Sequence, residues 1–198
     1  QSADFGHFGP LQVVLRLIGP HQAVNCTNVL AGIQFLNKAG FTITESHVLN
    51  GLSKTVWPGR MERIYPDNWT QTRKLYLDGA HNPDGARSLV DTMKLLYPGQ
   101  KVAMLVGILD NKSYREMAAI FSEIAASVIV TGITGFKAAE TSELAGIFAE
   151  HGVEAIIERV PEKALKRLLE SSNNVAVAAG SLYLIGELRA ILFPETKD

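Results

Sequence analysis

The segment Asp78-Gly79-Ala80-His81-Asn82-Pro83 carries the densest chemistry in the chain. A carboxylate and an imidazole three residues apart, on a turn that glycine permits, can face one ligand from one rim. Asn82 can cap a helix begun by Pro83, and the free N–H groups of that helix end attract anions. A capped turn with an incidental histidine is the bland alternative. Turn chemistry itself asks for neither Asp78 nor His81, and their coincidence marks a candidate site. Gly107 followed by Asp110-Asn111-Lys112, Thr131-Gly132 followed by Gly135-Phe136-Lys137, and Gly180-Ser181 form further small polar clusters. Ordinary turn preferences also account for most of these.

Each cluster follows a predicted strand. Apolar runs fall at Leu75–Leu77, Val102–Leu109, Val128–Val130, Ala155–Ile157 and Val175–Ala179. Helical patterns follow at Pro83–Leu96, Tyr114–Ala125, Ser142–His151, Pro161–Leu169 and Leu182–Leu192. Pro83 and Pro161 sit where a first helical turn tolerates proline, and Gly152 follows a helix end. Near-continuous apolar strands alternating with helices predict an α/β fold, a Rossmann-like open and mainly parallel sheet flanked by helices. Ligands of such sheets bind beyond the carboxyl ends of the strands, where the unusual residues gather.

The stretch 1–66 is less regular. Leu11–Leu17 alternates as a strand, and Val24, Val29, Ile33 and Leu36 are spaced for one helical face. Thr44 can cap a second helix through His47, Val48 and Leu52, and residues 61–66 read as a short strand. Phe5 and Phe8 have no evident packing partner. Residues 1–66 are therefore expected to be the tail of a domain that begins earlier. The join is expected near Pro66-Asp67-Asn68-Trp69, with a second domain over 67–198.

Composition narrows the function. The 198 residues carry 19 Lys+Arg against 20 Asp+Glu, a formal net charge of −1, so no basic stripe points to nucleic acid. Apolar runs fall far short of the roughly 20 residues a membrane span needs. A soluble, cytoplasmic chain is expected, and its lone cysteine, Cys26, excludes an internal disulfide framework. Five scattered histidines with one cysteine show no metal-ligand spacing, so no metal site is expected here. His47 and His151 suit helix ends or faces, and His7 carries no argument. Neither a Gly-x-Ser-x-Gly elbow nor a Gly-x-x-x-x-Gly-Lys-Ser/Thr phosphate loop is present.

Four segments, in order, resemble one family. Gly19-Pro20-His21-Gln22-Ala23-Val24-Asn25 resembles its Gly-x-His-Gln-x-x-Asn segment, and Trp57-Pro58-Gly59-Arg60-Met61-Glu62 its Trp-Pro-Gly-Arg-Leu/Met-Glu segment. Leu77 to Pro83 resembles Leu-Asp-Gly-Ala-His-Asn-Pro, and Gly180 to Glu187 resembles Gly-Ser-Leu-Tyr-Leu-x-Gly-Glu. The family is folylpolyglutamate synthase/dihydrofolate synthase, a branch of the Mur ligase superfamily. The resemblance implies a central ATPase domain ending in 1–66 and a carboxy-terminal glutamate-ligase domain in 67–198. It also implies that the phosphate loop and magnesium ligands precede Gln1, so that the fragment alone is inactive.

By motif, Asn25, Arg60 and Asp78 match ATP contacts, Asn25 on the adenine side and Arg60 on the phosphate side. His81 and Ser181 match the glutamate side, and His81 is the candidate catalytic residue. The implied reaction is an ATP- and Mg-dependent amide ligation, in a monomer, between L-glutamate and a folate or dihydropteroate. The rivals are a peptidoglycan-precursor ligase of the same superfamily and a non-catalytic Rossmann-like binding module. Two departures from the family stand out. Asn111-Lys112-Ser113 replaces an Asp-Lys-Asp segment, and Lys137 is the nearest cation where many members carry an arginine. Lysine lacks the bidentate fork that grips a carboxylate.

Overall fold

Proline and glycine punctuate the first part of the chain, and its elements lie between them. The computed structural model describes residues 2–4, 10–66 and 73–194. Its two compact units divide between Pro58 and Gly59. In the first, the strands β1 (Ser2–Asp4) and β2 (Pro10–Gln12) pair antiparallel. The predicted strand over Leu11–Leu17 thus stops at Gln12. Phe5, His7 and Phe8 lie outside the described residues, as do Asp67, Asn68 and Trp69 of the expected join.

Helix α1 (His21–Lys38) begins after Gly19-Pro20, with Gln22 N–H donating to the Gly19 carbonyl, and ends before Gly40 at φ +99°. Asn37 staples the following loop: its Nδ2 donates to the Ile43 carbonyl at 2.9 Å and its Oδ1 accepts from Ile43 N at 2.8 Å. That loop delivers Thr44, which caps α2 (Glu45–Lys54); Thr44 Oγ1 accepts from His47 N, and His47 Nδ1 accepts from Thr44 N. His47 is thus half of a capping box. The buried face of α1 is Gln22, Cys26 and Leu30, whereas Val24, Val29 and Leu36 are exposed. Of the expected face only Ile33 meets the buried cluster, because apolar residues occur around most of α1 and its neighbours choose among the stripes. Cys26 and Leu30 pack with Val48 of α2, joined at the edges by Leu15, Ile33, Ile43 and Leu52.

The second unit is a six-stranded sheet. Its strands and helices run β3 (Glu62–Ile64), β4 (Lys74–Asp78), α3 (Pro83–Leu96), β5 (Val102–Val106), α4 (Tyr114–Ser122) and β6 (Ala125–Val130). They continue with α5 (Thr141–Glu150), β7 (Glu154–Ile157), α6 (Pro161–Glu170), β8 (Val175–Ala179) and α7 (Leu182–Leu192). The strand order is β3-β4-β8-β5-β6-β7, with β3 antiparallel to β4 and every other pairing parallel. Strands β5 and β8 are buried along their whole length, the pattern of a sheet covered on both faces. On one face Leu75, Leu77, Ala103, Leu105, Ala176 and Ala178 pack beneath Leu165 and Leu168 of α6 and Leu184, Ile185 and Leu188 of α7. Alternation along the strands sends Met104, Val106 and Val177 to the other face, where α3, α4 and α5 lie side by side. Each such fully buried side chain contributes about 1.5–3 kcal/mol.

Edge strand β7 is mostly exposed, unlike its central neighbours. The doubly wound parallel arrangement expected from the alternating pattern is the observed fold. Strand β8 sits between β4 and β5 but leads into α7 on the opposite face from α3 and α4. The carboxyl ends of β4, β8 and β5 thus lie where the following helices divide between the two faces, the place at which sheets of this kind bind ligands.

Candidate functional site

The end of β4 is built around Asp78. Its carboxylate is buried, with Oδ1 accepting from Ala80 N at 2.9 Å and Oδ2 from Met61 N at 2.8 Å. The expectation that the turn does not need Asp78 is corrected by these bonds. The carboxylate folds its own turn and reaches 17 residues back to hold a second one. Met61 needs holding, because it is a non-glycine residue at φ +43°. Asn82 Oδ1 accepts from Gly85 N at 2.7 Å and caps α3, as its position before Pro83 predicts.

His81 is half-buried, with Nδ1 2.8 Å from the Gly79 carbonyl oxygen. A carbonyl only accepts, so Nδ1 is the donor of this hydrogen bond and Nε2 is left for another partner. The turn itself thereby fixes the orientation of the one histidine on this rim.

The Gly59–Glu62 turn lies against that segment. Gly79 N donates to the Gly59 carbonyl at 2.7 Å, and Gly59 N donates to Glu62 Oε2 at 2.7 Å. Glu62 Oε2 also accepts from Arg189 Nε at 2.8 Å. Arg60, between these tied residues, is half-buried, and its guanidinium has no ion-pair partner among the described residues. Ser181, at the end of β8, is buried and caps α7, its Oγ accepting from Tyr183 N at 3.2 Å.

Helix α7 organises this rim one residue at a time. A Cβ on Gly79 would lie 2.3 Å from the Leu182 side chain, and one on Gly59 would lie 2.8 Å from Ile185. Leu184 closes on Gly107 at the end of β5. Tyr183 stacks on Phe136 with ring centroids 3.8 Å apart, and Glu187 accepts from Thr134 N and Oγ1. The loop after β6 is thereby fastened to α7. The same loop joins the one after β5, where Lys137 Nζ lies 2.7 Å from Asp110 and Asp110 N donates to the Lys137 carbonyl. That carboxylate holds the Lys137 ammonium above its ordinary value, through the hydrogen bond first and the charge second.

The structure thus gathers Arg60, Asp78, His81 and Ser181 on one rim. Asn25 belongs to the first unit; it is exposed on α1 and donates through Nδ2 to Gln22 Oε1 at 3.1 Å. Sequence reasoning missed Glu62, Glu187 and Arg189 as positioning groups. Glu62 and Arg189 are 127 residues apart, and nothing local links them. Among the described residues, no three His, Cys, Asp or Glu side chains gather as metal ligands would, and no helix is long and apolar enough to cross a membrane.

Known proteins resemble this chain in sequence and fold. Residues 59–182 match the Mur ligase, glutamate ligase domain. A folylpolyglutamate synthase of Lacticaseibacillus casei is 29% identical over 193 residues, covering 94% of this chain and 41% of that protein. The crystal structure of folylpolyglutamate synthase from Thermotoga maritima superposes with a TM-score of 0.75 at 28% identity, covering 96% of this chain and 43% of the other. A bifunctional folylpolyglutamate synthase/dihydrofolate synthase from Yersinia pestis, complexed with AMPPNP and Mn ion, gives 0.73 at 23% identity, covering 92% of this chain and 42% of that one. The chain spans about two fifths of the length of the relatives it matches. With more than half of its residues inside the family's match and its fold reproduced, the chain belongs to the Mur ligase family, through a glutamate ligase domain.

Proposed function

We propose that this chain is part of an ATP-dependent ligase that adds L-glutamate to a folate, with dihydropteroate as a second acceptor. The first unit belongs, in this reading, to an ATPase domain whose phosphate loop and magnesium ligands come from preceding sequence. The observation that carries it is the shared rim. Arg60, whose guanidinium has no ion-pair partner among the described residues, and His81, whose Nδ1 is bound to Gly79, lie on turns joined by the Gly79–Gly59 hydrogen bond, and Ser181 caps the helix that packs on Gly79.

In the reaction, the folate carboxylate oxygen attacks the γ-phosphorus of ATP, ADP leaves, and an acyl phosphate forms. The glutamate amine then attacks the acyl carbon and inorganic phosphate departs. Phosphoryl transfer needs charge neutralisation and positioning. Arg60 suits that task, being always charged and able to fork onto phosphate. The amine must lose its extra proton before attacking, and Nε2 of His81 can accept it because Nδ1 already donates to Gly79. Bound magnesium would neutralise phosphate charge. Asn25 on the adenine side and Asp78 beside the nucleotide complete the reading, which the family motifs support.

The test uses the full-length ligase. Arg60→Ala should raise the ATP requirement by roughly 10- to 100-fold, the value of a charge-assisted contact of about 1.5–3 kcal/mol. Arg60→Lys should recover only part of it. His81→Ala should slow amide formation or raise the glutamate requirement while leaving ATP use near normal. Unchanged kinetics in both alanine variants would sink the reading. The 198-residue chain alone, given ATP, magnesium, glutamate and a folate, should release no ADP above background.

A further inference from the structure

We propose that Glu62 is a positioning residue for Arg60, acting through the Gly59 amide. The inference rests on the reading of Arg60 as a phosphate contact. Arg60 sits in a turn whose backbone is fastened on both sides. Before it, the Gly59 N–H is held by Glu62 Oε2 and the Gly59 carbonyl by Gly79 N. After it, Met61 N is held by Asp78 Oδ2. Two of the turn's residues lie at positive φ, Gly59 at +71° and Met61 at +43°. For Met61 that conformation is unfavourable, and it persists only where surrounding bonds enforce it.

Glu62 is the centre of that enforcement. One carboxylate oxygen, Oε2, receives both the Gly59 N–H at 2.7 Å and the Arg189 Nε–H at 2.8 Å. Its side chain is only 18% exposed and that of Arg189 33%, so the pair is partly shielded from water. Arg189 stands on α7, the helix that also meets Gly59 through Ile185. The side chain direction of Arg60 is therefore referred to α7, and Glu62 is the link. Glu62 itself touches no reacting group.

The decisive comparison is made in the full-length ligase. Glu62→Ala should raise KM for ATP by roughly tenfold, the loss of one charge-assisted hydrogen bond, with KM for glutamate within about twofold of the parent. Glu62→Gln keeps an oxygen for Gly59 N–H and should retain most of the affinity. The exchanged pair Glu62→Arg with Arg189→Glu restores opposite charges but offers Gly59 no acceptor at position 62, and it should not rescue. In the 198-residue chain, hydrogen exchange at the Gly59 amide should quicken by about tenfold or more in Glu62→Ala, while amides of β5 stay protected.

Native ATP kinetics in Glu62→Ala beside a damaged Arg60→Ala would overturn the positioning role alone. Native kinetics in Arg60→Ala would remove the phosphate-contact reading and this inference with it. Rescue by the exchanged pair would assign the effect to the ion pair and not to Gly59. If Glu62→Ala fails to fold, Glu62→Gln and its Gly59 exchange rate decide, since a slow amide with native KM is required.

Discussion

Helices α1 and α7 are both rich in apolar residues, yet they use them differently. Helix α7 buries Leu184, Ile185 and Leu188 in a cluster that draws on five strands of the sheet, and its remaining side chains meet the rim loops in turn. Helix α1 buries Gln22, Cys26 and Leu30, the last two in a three-residue cluster with Val48, and leaves Val24, Val29 and Phe35 exposed. Apolar periodicity sets that a helix forms. The number and shape of its neighbours set which stripe is buried and how much stability that burial contributes.

The sharpest way to break this comparison is to truncate one leucine in each cluster. Leu105→Ala, at a fully buried position in β5, should cost about 2–5 kcal/mol, near the upper end because strands on both sides prevent collapse. Leu30→Ala in α1 should fall at the lower end, since half-exposed neighbours such as Ile33 and Leu52 can relax into the space. Urea midpoints at fixed m-value measure both. Equal losses would mean that the smaller cluster is as rigid as the sheet.

A second break falls where the ends of β5 and β8 meet. Gly180 lies at φ +114°, and a Cβ there would stand 2.6 Å from the Gly107 carbonyl oxygen. Gly180→Ala should therefore lose roughly 2–3 kcal/mol from overpacking and backbone strain together. Gly146, on α5, would have nothing within 4 Å of an added Cβ, and Gly146→Ala should be neutral or stabilising. Thermal unfolding of the two variants should separate them by several degrees. A native melting temperature for Gly180→Ala would show that the β5 and β8 ends separate readily.

Much of the second unit was legible in the sequence, and for a physical reason. Its strands are short apolar runs bounded by glycine, and its helices start at Asn82-Pro83 or Val160-Pro161, so local signals and tertiary burial agree. The predicted helices Pro83–Leu96 and Leu182–Leu192 match the observed bounds. Helix α4 ends at Ser122 and not Ala125, because Ala125 already pairs with Val102 in the sheet. In the first unit, local signals found Thr44 but mistook the buried face of α1, where no periodicity could arbitrate. At the site, Arg60, Asp78, His81 and Ser181 were visible as types and motifs. What fastens them was not, because Asp78 to Met61 and Glu62 to Arg189 are contacts between segments far apart in the chain.

A smaller effect is expected at Thr131, at the end of β6. Its Oγ1 is buried with no hydrogen-bond partner. Replacing the hydroxyl by a methyl group in Thr131→Val removes an unsatisfied polar atom at nearly constant shape, and should stabilise by about 1 kcal/mol. A destabilised Thr131→Val in urea unfolding would show that the hydroxyl is satisfied in solution, and that water reaches this strand end.

The smallest expected effect lies on the surface, at Glu123 after α4. Its carboxylate accepts from Lys94 Nζ and Arg87 Nη1, each at 2.6 Å. The Lys94 hydrogen bond, chiefly, holds its carboxyl below the ordinary range; partial burial opposes this, and Arg87 adds to it. A carboxyl whose folded value is depressed contributes stability that is complete above its unfolded value of about 4.3. That contribution is lost as pH falls through the folded value. The side chain of Glu123 is 35% exposed and its partners 46% and 49%, so solvent screening limits the gain to under about 1 kcal/mol. Glu123→Gln should therefore lower the urea midpoint slightly at pH 7, and the gap should close as the pH falls below about 4. Added salt should narrow the gap at pH 7 in the same direction. A gap that persists at pH 3 would assign the effect to packing of the side chain, leaving Lys101, which donates to the Glu123 carbonyl at 2.7 Å, as the remaining charged contact there.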